Sequence, residues 1–323
     1  MNVLFCSVGR RATLLKNFKS KYPEITIFAT DNSEFAPALH FADKKILAPR
    51  VDSEGYIYFL LEVCKQEKID AITTLIDPEI EIISKNRDIF IENNILPLVP
   101  DYKTAALCFD KFEMYKYLKS NDIATILTYD SIHSFEKDLL LNKINFPVFI
   151  KPKTGSASVG AQKINDLSEL TSKFLECKHD YIIQEYMDGE DIDADVYVDC
   201  ISHEVISIFS KKKLETKIGG ANKTISFVDK KLFDFIECIL TKFSFFGPLD
   251  MDFFFKDGNY YLSEINPRFG GAYLHAFGAG VDFFELIINN IQGVTNHKRI
   301  GHYESEILMM MYDDVVIKRL SEI

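Results

Sequence analysis

The stretch DMDFFFKDGNYYLSEINPRFGG, residues 250–271, decides the fold prediction. Two runs rich in Phe, Tyr, Leu and Ile flank Asp257 and Gly258, a pair that suits the two-residue turn of a β-hairpin. Because successive side chains of a strand point to opposite faces, every second residue of each run shares a face. The stretch therefore predicts two antiparallel strands whose polar residues collect on one side.

Acidic residues occupy that shared face. Folding about the turn places Asp252 almost directly across from Glu264, and Asp250 across from Asn266. Such carboxylates repel each other unless a cation lies among them. Oxygen ligands without His or Cys favour a hard ion, Mg²⁺ or Mn²⁺, over zinc. A solvent-facing strand with ordinary surface acids is the alternative; the apolar flanking residues, and Arg268 two residues after Asn266, argue against it.

A second stretch is a candidate phosphate cradle. Mg²⁺ held by one or two carboxylates usually shares its coordination shell with substrate phosphates. In FIKPKTGSASVG, residues 149–160, Lys151 precedes the glycines, whereas the lysine of a P-loop follows them. We therefore expect this segment to fold over the phosphates as a lid that is poorly ordered without nucleotide, with Gly155 and Gly160 as hinges and backbone donors.

The first 100 residues alternate apolar strand-like runs with amphipathic stretches, in the order βαβαβα. This order predicts a parallel sheet with helices on both faces, whose ligand sites lie beyond the carboxyl ends of the strands. SVGRRA has only one glycine of the G-x-G-x-x-G pattern, so no dinucleotide site is expected here. Asp31, which ends the second strand, is predicted to cap a helix or a turn.

The remainder changes from this pattern to strands and hairpins after a proline-marked boundary near residue 100. DIDADVYVD is expected to pair with EVISIFSK, and ILMMMY to form a final strand. Helices are predicted around residues 12–20, 54–67, 78–93, 110–118, 230–243 and 281–291. We find no repeat and no low-complexity linker, so the domains are expected to pack closely.

Composition excludes several classes of protein. With 323 residues, 47% hydrophobic and 26% charged, the chain is typical of a soluble globular protein of two or three domains. A net charge of -11 argues against nucleic acid, and the basic run 211–213 is interpreted as a solvated strand end or loop. Six cysteines without a C-x-x-C pair indicate a reduced, cytoplasmic protein. No apolar run approaches about 18 residues, so no membrane partner is expected.

Three motifs resemble the ATP-grasp superfamily, in particular the branch of the carbamoyl phosphate synthase large subunit and biotin carboxylase. They are Lys111 in CFDKFEMYKYL, Lys151 with its glycine loop, and SEINPRFGG. The resemblance covers residues 103–323 and implies an α/β and α+β chain, in which a Rossmann-like pre-ATP-grasp domain precedes a two-lobed ATP-grasp domain. The implied boundaries are 1–102 for the first domain, 103–180 for the small lobe with its lid loop, and 181–323 for the lobe with the metal site.

The resemblance also implies roles for single residues. Lys111 and Lys151 would reach the α- and β-phosphates, and Arg268 would face the transferred phosphoryl group; Lys151 and Arg268 are the catalytic candidates. The implied metal ligands are Asp252, Glu264 and Asn266, although relatives often have Glu or Gln at the first position. The other implied nucleotide contacts are the loop residues Gly155, Ser156, Ser158 and Gly160, the adenine hinge Glu185 and Met187, and Asp191 or else Glu190 on the ribose.

Enzymes of this superfamily typically phosphorylate a carboxylate, and an amine then attacks the acyl phosphate. The resemblance therefore implies an ATP-dependent carboxylate–amine ligase that uses two Mg²⁺ or Mn²⁺ ions, accepts small molecules such as amino acids, and forms a homodimer. A kinase-like enzyme that makes an acyl or carbamoyl phosphate from bicarbonate or a small acid is one alternative. A catalytically silent nucleotide-binding protein is the other.

Substrate contacts are expected from three regions, with ordinary structure as the alternative for each residue. Arg10, beside Arg11, can bind a carboxylate or phosphate, and Asp77 and Glu79 can bind an amine. Lys217 lies in a segment, residues 210–224, that resembles the mobile loop over the acceptor. The glycine-rich segment after the hairpin has Gly270 and Gly271, which allow close backbone approach, and His275, which can contact a substrate or be packed in a helix.

Overall fold

The predicted parallel sheet is present at the start of the chain, in a computed structural model that describes residues 1–155, 160–176, 180–217 and 220–322. Its five parallel strands lie in the order β3-β2-β1-β4-β5, with bounds β1 (Asn2–Cys6), β2 (Thr26–Asp31), β3 (Lys44–Leu47), β4 (Ala71–Thr74) and β5 (Leu96–Pro97). The chain winds one way from β1 to β2 and the other way to β4, so the carboxyl ends of β1 and β4 form the topological switch point.

Helices connect these strands: α1 (Ala12–Lys21), a 3₁₀ helix (Pro37–Phe41), α2 (Tyr56–Gln66), α3 (Asp77–Lys85) and α4 (Arg87–Glu92). The single helix predicted around residues 78–93 is wrong, because Asn86 has φ −112° and separates α3 from α4. Asp31 accepts from the backbone N–H of Gly9 at 2.8 Å and of Ser33 at 3.0 Å, which confirms that it caps a turn.

Two helices lead into the second half of the chain, α5 (Tyr102–Phe109) and α6 (Lys111–Ser120). Only the second was predicted. Asp110 separates them by capping α6: its side chain accepts from the backbone N–H groups of Phe112 and Glu113, both at 3.0 Å. This cap makes Lys111 the first residue of the helix.

A four-stranded antiparallel sheet follows, in the order β6-β9-β7-β8. Its strands are β6 (Thr128–Tyr129), β7 (Val148–Pro152), β8 (Gln162–Ile164) and β9 (Tyr181–Glu185). The two helices α7 (Ile132–Leu140) and α8 (Leu167–Glu176) were not predicted. Both begin at a polar cap: Ser131 accepts from the N–H of Ser134 at 3.3 Å, and Asp166 from that of Glu169 at 2.9 Å.

The largest sheet has six antiparallel strands in the order β14-β13-β10-β11-β12-β15. They are β10 (Glu190–Val198), β11 (Val205–Lys217), β12 (Gly220–Phe227), β13 (Gly247–Lys256), β14 (Asn259–Asn266) and β15 (Leu308–Met310). The remaining helices are α9 (Lys230–Leu240), α10 (Tyr273–Gly278), α11 (Phe283–Ile291) and a 3₁₀ helix (Leu320–Glu322). The predicted pairing of DIDADVYVD with EVISIFSK is confirmed, since β10 and β11 are antiparallel neighbours.

The two faces of this sheet differ in polarity. Helix α9 covers one face with Leu232, Phe233 and Ile236, which pack with Met251 and Phe253 of β13. Burial of each such side chain contributes roughly 1.5–3 kcal/mol. The alternate residues of the same strands are polar and point to the other face. The candidate site lies on that face.

The N-terminal domain and the six-stranded lobe share one hydrophobic core. Phe5 and Phe18 of the first domain lie in the same buried cluster as Phe269 and Phe284 of the second. The rings of Phe18 and Phe284 stack at 4.3 Å with 3° between their planes. This shared core confirms the close packing expected from the lack of a linker. In the described part of the chain, no helix has both the length and the apolar composition that crossing a bilayer requires.

Candidate active site

The hairpin register is the one predicted from the sequence. In β13 and β14, Asp252 pairs with Glu264 and Asp250 with Asn266. The Nζ atom of Lys111 lies 3.6 Å from Oε1 of Glu264 and 2.5 Å from the carbonyl O of Gly155. The first residue of α6 therefore joins the acidic hairpin to the start of the glycine loop.

Lys151 lies on β7, within the electrostatic influence of the same hairpin. Burial lowers the pKa of Lys151, the charge of Glu264 opposes that effect, and the charge of Lys111 adds to it. The charge of Asp252, like that of Glu264, raises the pKa of Lys151. The structure thus brings together the two lysines expected at phosphates and the two carboxylates expected at a metal.

A third lysine, Lys213 of β11, contacts the same group of acids. Its Nζ pairs with Asp252 and lies 3.0 Å from Oδ1 of Asp191. Burial alone would lower the pKa of Lys213, but Asp252, Asp193 and Asp191 together raise it above its ordinary value. Burial also raises the pKa of Asp191, and Lys213 partly offsets that shift.

The donor set of the hairpin fits a hard divalent cation. Asp252 and Glu264 offer carboxylate oxygens, and Asn266 offers an amide oxygen on the same face. Lys213 and Lys111 place ammonium groups beside the two carboxylates. Positive charge beside these two carboxylates therefore balances part of their negative charge.

Sequence reasoning missed a buried cluster beside the hairpin. One oxygen each of Asp193, Asp195 and Asp250 lie within 4.8 Å of one another. Lys211 has 0% of its side chain exposed, pairs with Asp195, and lies 3.0 Å from Oδ1 of Asp193. Burial raises the pKa of Asp193 and of Asp195 to about 6, and Lys211 opposes this shift.

Lys211 corrects the prediction that the basic run 211–213 is solvated, and the sequence contains a pattern that indicates its burial. The run 211–213 is not a solvated strand end, since Lys211 is fully buried and Lys213 is largely buried. The aspartates of EDIDADVYV in β10 alternate with Ile192 and Ala194, and Lys211 and Lys213 stand two residues apart in β11. That alternation places Asp191, Asp193 and Asp195 on one face, together with the two lysines.

Arg268 connects the acidic hairpin of the candidate site to the N-terminal domain. Its guanidinium pairs bidentately with Asp77, with Nε 2.7 Å from Oδ1 and Nη2 3.3 Å from Oδ2. Nη1 lies 3.4 Å from Oδ2 of Asp250. Burial would lower the pKa of Arg268, but Asp77 and Asp250 raise it above its ordinary value. Asp77, predicted as an amine ligand, is therefore engaged by an arginine in this structure.

The predicted nucleotide hinge follows β9. Glu185 ends that strand, and its Oε1 lies 3.8 Å from Nζ of Lys256; Met187 is buried. Glu190 pairs with Lys212 at 2.7 Å, whereas Asp191 pairs with Lys213 on the face that carries the hairpin acids. Of the two ribose candidates, only Asp191 shares that face.

The glycine loop is described at its two ends. Gly155 and Gly160 have φ values of +99° and +77°, which favour glycine. A Cβ atom added to Gly160 would lie 2.5 Å from the hydroxyl of Tyr181. Ser156 and Ser158, and with them the predicted disorder of the lid, lie outside the described residues.

The other substrate candidates are dispersed. Arg10 is exposed, and Lys217 is exposed with its Nζ 3.6 Å from Asp313. Glu79 is fully buried, accepts hydrogen bonds from Tyr56 and Thr74, and has a pKa raised by burial.

Three further candidates lie in the segment after the hairpin. His275 is buried against the ring of Phe209, with Nδ1 2.7 Å from Oγ1 of Thr224, and burial lowers its pKa to about 4. Gly270 packs against the acids: an added Cβ would lie 2.5 Å from Oδ1 of Asp250 and 2.9 Å from Oδ1 of Asp195. Gly271 lies next to Arg11.

The chain belongs to the ATP-grasp family. The family model described as "ATP-grasp domain" matches residues 108–272, about half of the chain, and that described as "PylC-like, N-terminal domain" matches residues 3–98. The resemblance inferred from the three motifs is therefore confirmed, as is the mixed α/β and α+β fold class.

Several known enzymes are similar to this chain in sequence or in structure. Formate-dependent phosphoribosylglycinamide formyltransferase of Sulfolobus acidocaldarius is 25% identical over 147 residues, which are 45% of this chain and 35% of that enzyme's length. The biotin carboxylase domain of Hydrogenobacter thermophilus 2-oxoglutarate carboxylase, solved with MgADP, ADP and bicarbonate, superposes with a TM-score of 0.74 at 16% identity, covering 95% of this chain and 73% of that one. L-amino acid ligase of Bacillus licheniformis has a TM-score of 0.69 at 15% identity, with 92% and 75% covered. At these identities the solved structures establish the fold.

Proposed function

We propose that this protein is an ATP-dependent ligase that joins a small-molecule carboxylate to an amine through an acyl phosphate. The observation that carries the proposal is the convergence of Lys111, Lys151 and Glu264. A lysine that contacts both a candidate metal ligand and the start of a glycine loop is placed to hold a phosphate chain between them. Membership of the ATP-grasp family supports the same assignment.

The chain's own residues have distinct tasks in this proposal. Lys111 and Lys151 neutralise phosphate charge, Asp252, Glu264 and Asn266 hold Mg²⁺ or Mn²⁺, and Arg268 stabilises the phosphoryl group in transfer. ATP supplies the phosphoryl group, and the divalent ion neutralises the charge that develops on it. A carboxylate oxygen of the substrate attacks the γ-phosphorus, ADP leaves, and the amine then displaces phosphate from the acyl carbon.

Several finer points belong to the same proposal. Glu185 and Met187 hold adenine, and Asp191 rather than Glu190 contacts the ribose, because it lies on the face of the hairpin acids. We also propose that the protein binds two metal ions, forms a homodimer and is cytoplasmic. Metal titration of the ADP complex and sedimentation velocity test the first two, and cell fractionation tests the third.

A coupled ADP-release screen of acids against amines, followed by mass determination of the product, tests the reaction class. We expect ADP release that requires both an acid and an amine, with amino acids among the acids, and a product lighter than their sum by one water. Bicarbonate belongs in the panel, because the Hydrogenobacter domain was solved with it. Turnover with bicarbonate alone favours the acyl phosphate-forming alternative, and ATP binding without ADP release across the panel favours the catalytically silent one.

A further inference from the structure

Arg11 lies where the N-terminal domain meets the glycine turn after β14. It follows β1, immediately precedes α1, and donates from Nη1 to the carbonyl O of Gly270 at 2.8 Å. A Cβ atom added to Gly271 would lie 3.5 Å from the same Nη1, so the turn and the guanidinium are in contact. Arg11 therefore reaches across the domain interface to the segment that carries Arg268.

The guanidinium of Arg11 has few partners for a charged group in this position. It offers five N–H donors, and the described residues provide one acceptor, a neutral carbonyl. No described carboxylate is at ion-pair distance from Arg11, and its exposure is only intermediate. A cation removed from water without a charged partner is costly unless an anion completes its surroundings.

The acids nearest to Arg11 already have other partners. Asp77 is held bidentately by Arg268, which also pairs with Asp250. Lys211 pairs with Asp195. Each of these three acids thus has a closer cation than Arg11, which leaves donors of Arg11 available to a ligand.

The helix that follows Arg11 adds positive potential at the same place. α1 is ten residues long, Arg11 is its N-cap, no side chain caps it, and its first turn has no acidic residue. Backbone N–H groups at a helix N-terminus attract anions, and acidic side chains usually satisfy them. Here the sequence has two arginines instead, which favours an external anion.

The charge of Arg11 persists at neutral pH. Burial and the nearby Arg268 lower the pKa of Arg11 to about 10, while Asp250, Asp77 and Asp195 act in the opposite direction. Two guanidinium groups, Arg11 and Arg268, therefore both carry charge beside the Gly270–Gly271 turn.

We propose that Arg11, with the N-terminus of α1, binds the carboxylate of the donor substrate beside Arg268. The inference rests on the proposed ligase function and adds the residue that recognises the acid. The lysines Lys111 and Lys151 and the hairpin acids are associated with the phosphates, whereas Arg11 belongs to the other domain. A guanidinium fork matches the two oxygens of a carboxylate bidentately.

Binding of simple anions to the full chain saturated with MgADP tests this proposal without turnover. The probes are ¹³C-labelled acetate and, in a separate arm, inorganic phosphate, each titrated and followed by NMR. For Arg11→Ala we expect acetate affinity to fall by about tenfold or more, as charge-assisted bidentate contacts contribute about that much. Phosphate affinity should change by less than about threefold, because Arg268 and the lysines remain.

Two further variants separate recognition from a structural effect. Lys16→Ala removes a positive charge from an exposed position of α1 that has no role in the proposed site, and should leave acetate affinity within about twofold of the parent protein. Arg11→Lys keeps the positive charge but lacks the two parallel N–H donors of a guanidinium, so its acetate affinity should lie between those of the parent protein and Arg11→Ala. This variant still tests the proposal if Arg11→Ala does not fold. MgADP binding by each variant verifies folding.

The contradicting results are distinct from failure of the proposed function. Unchanged acetate affinity in Arg11→Ala overturns the assignment, as does lack of acetate binding by the parent protein. A loss confined to phosphate also overturns it, since Arg11 then serves a phosphoryl group. The ligase proposal fails separately, if no acid and amine together release ADP.

Discussion

Glu264 contacts the first lysine of the candidate phosphate site and shares its sheet face with the other expected metal ligands. Its partner across the hairpin, Asp252, pairs with Lys213. At the scale of residues, each of these two carboxylates thus contacts a lysine. Loss of one acid leaves a lysine without its partner and removes a candidate metal ligand, so the effect should fall on catalysis more than on the fold.

Glu264→Ala is expected to reduce ADP formation by at least about 10²-fold, because removal of a preorganised charged group from phosphoryl transfer costs several kcal/mol. The circular dichroism spectrum should be unchanged, since the side chain is partly exposed. Glu204→Ala, in an exposed turn, is the control and should retain full activity. A Glu264 variant with most of the parent rate contradicts the metal assignment.

Lys151→Ala is expected to raise the KM for ATP by about tenfold or more, because a charged contact to phosphate is lost. The KM values for acid and amine should change little. Lys137→Ala, at an exposed position of α7, serves as the matched control. An effect on the acceptor KM alone would show that the role of Lys151 is misassigned.

His275 should make the free energy of unfolding depend on pH. Its pKa is lowered from 6.5 to about 4 in the folded chain, so the unfolded chain binds more protons between these values. The protein should therefore be fully stabilised with respect to His275 above pH 6.5, and lose up to about 3 kcal/mol as pH falls towards about 4.

Urea unfolding of the parent protein and of His275→Gln, measured at several pH values in that range, checks this expectation. The variant should show a weaker decline of stability with falling pH. His133→Gln, at an exposed position, should show the same decline as the parent protein. Equal slopes for all three proteins would contradict a neutral, buried His275.

At the scale of elements, the β13–β14 hairpin and the pairing of β10 with β11 were predictable, but the placement of β10 beside β13 was not. The Asp257–Gly258 turn and the two-residue period determine the pairing of β13 with β14, because both act locally. β10 also pairs with β13, and this non-local contact sets Asp193 opposite Asp252 and Asp195 opposite Asp250. A local pattern shows that such residues share a face of their own strand, but not which strands are adjacent.

Gly189, in the turn before β10, illustrates how closely the hinge approaches β13. A Cβ atom added there would lie 2.4 Å from the carbonyl O of Phe255. Gly189→Ala should therefore destabilise the protein by about 1–3 kcal/mol through displaced backbone, as overpacking does. It should also raise the KM for ATP, since the hinge is moved.

Denaturant unfolding and ATP kinetics measure both effects. Gly278→Ala, where an added Cβ meets no atom within 4 Å, is the matched control and should be neutral or stabilising. If Gly189→Ala had the same stability and the same KM for ATP as this control, the hinge would tolerate a larger residue. The close approach to Phe255 would then matter neither for stability nor for ATP binding.

At the scale of the whole molecule, the two domains are joined by both charge and packing. The βαβ order predicted the first domain, and the motifs predicted the second. Their interface was not predictable, because the pairing of Asp77 with Arg268 and the stacking of Phe18 on Phe284 depend on the relative placement of the domains. The helices α7 and α8 were missed even though polar caps mark their starts.

Phe284→Ala should destabilise the protein by about 3–5 kcal/mol, the usual cost of deleting a fully buried aromatic ring. Because the ring belongs to the core shared by both domains, probes in each domain should report the same shift in urea unfolding. Phe35→Ala, at a position 64% exposed, should change stability by less than about 0.5 kcal/mol. A shift confined to one domain would contradict a shared core.

The central claim is that the chain activates a carboxylate as an acyl phosphate before an amine attacks. The most direct measurement follows ¹⁸O from the carboxylate of the acid found in the screen, during turnover with ATP and amine. The account predicts that one ¹⁸O atom appears in the phosphate released, for each product molecule formed. Phosphate without ¹⁸O, at the same rate of product formation, would contradict it.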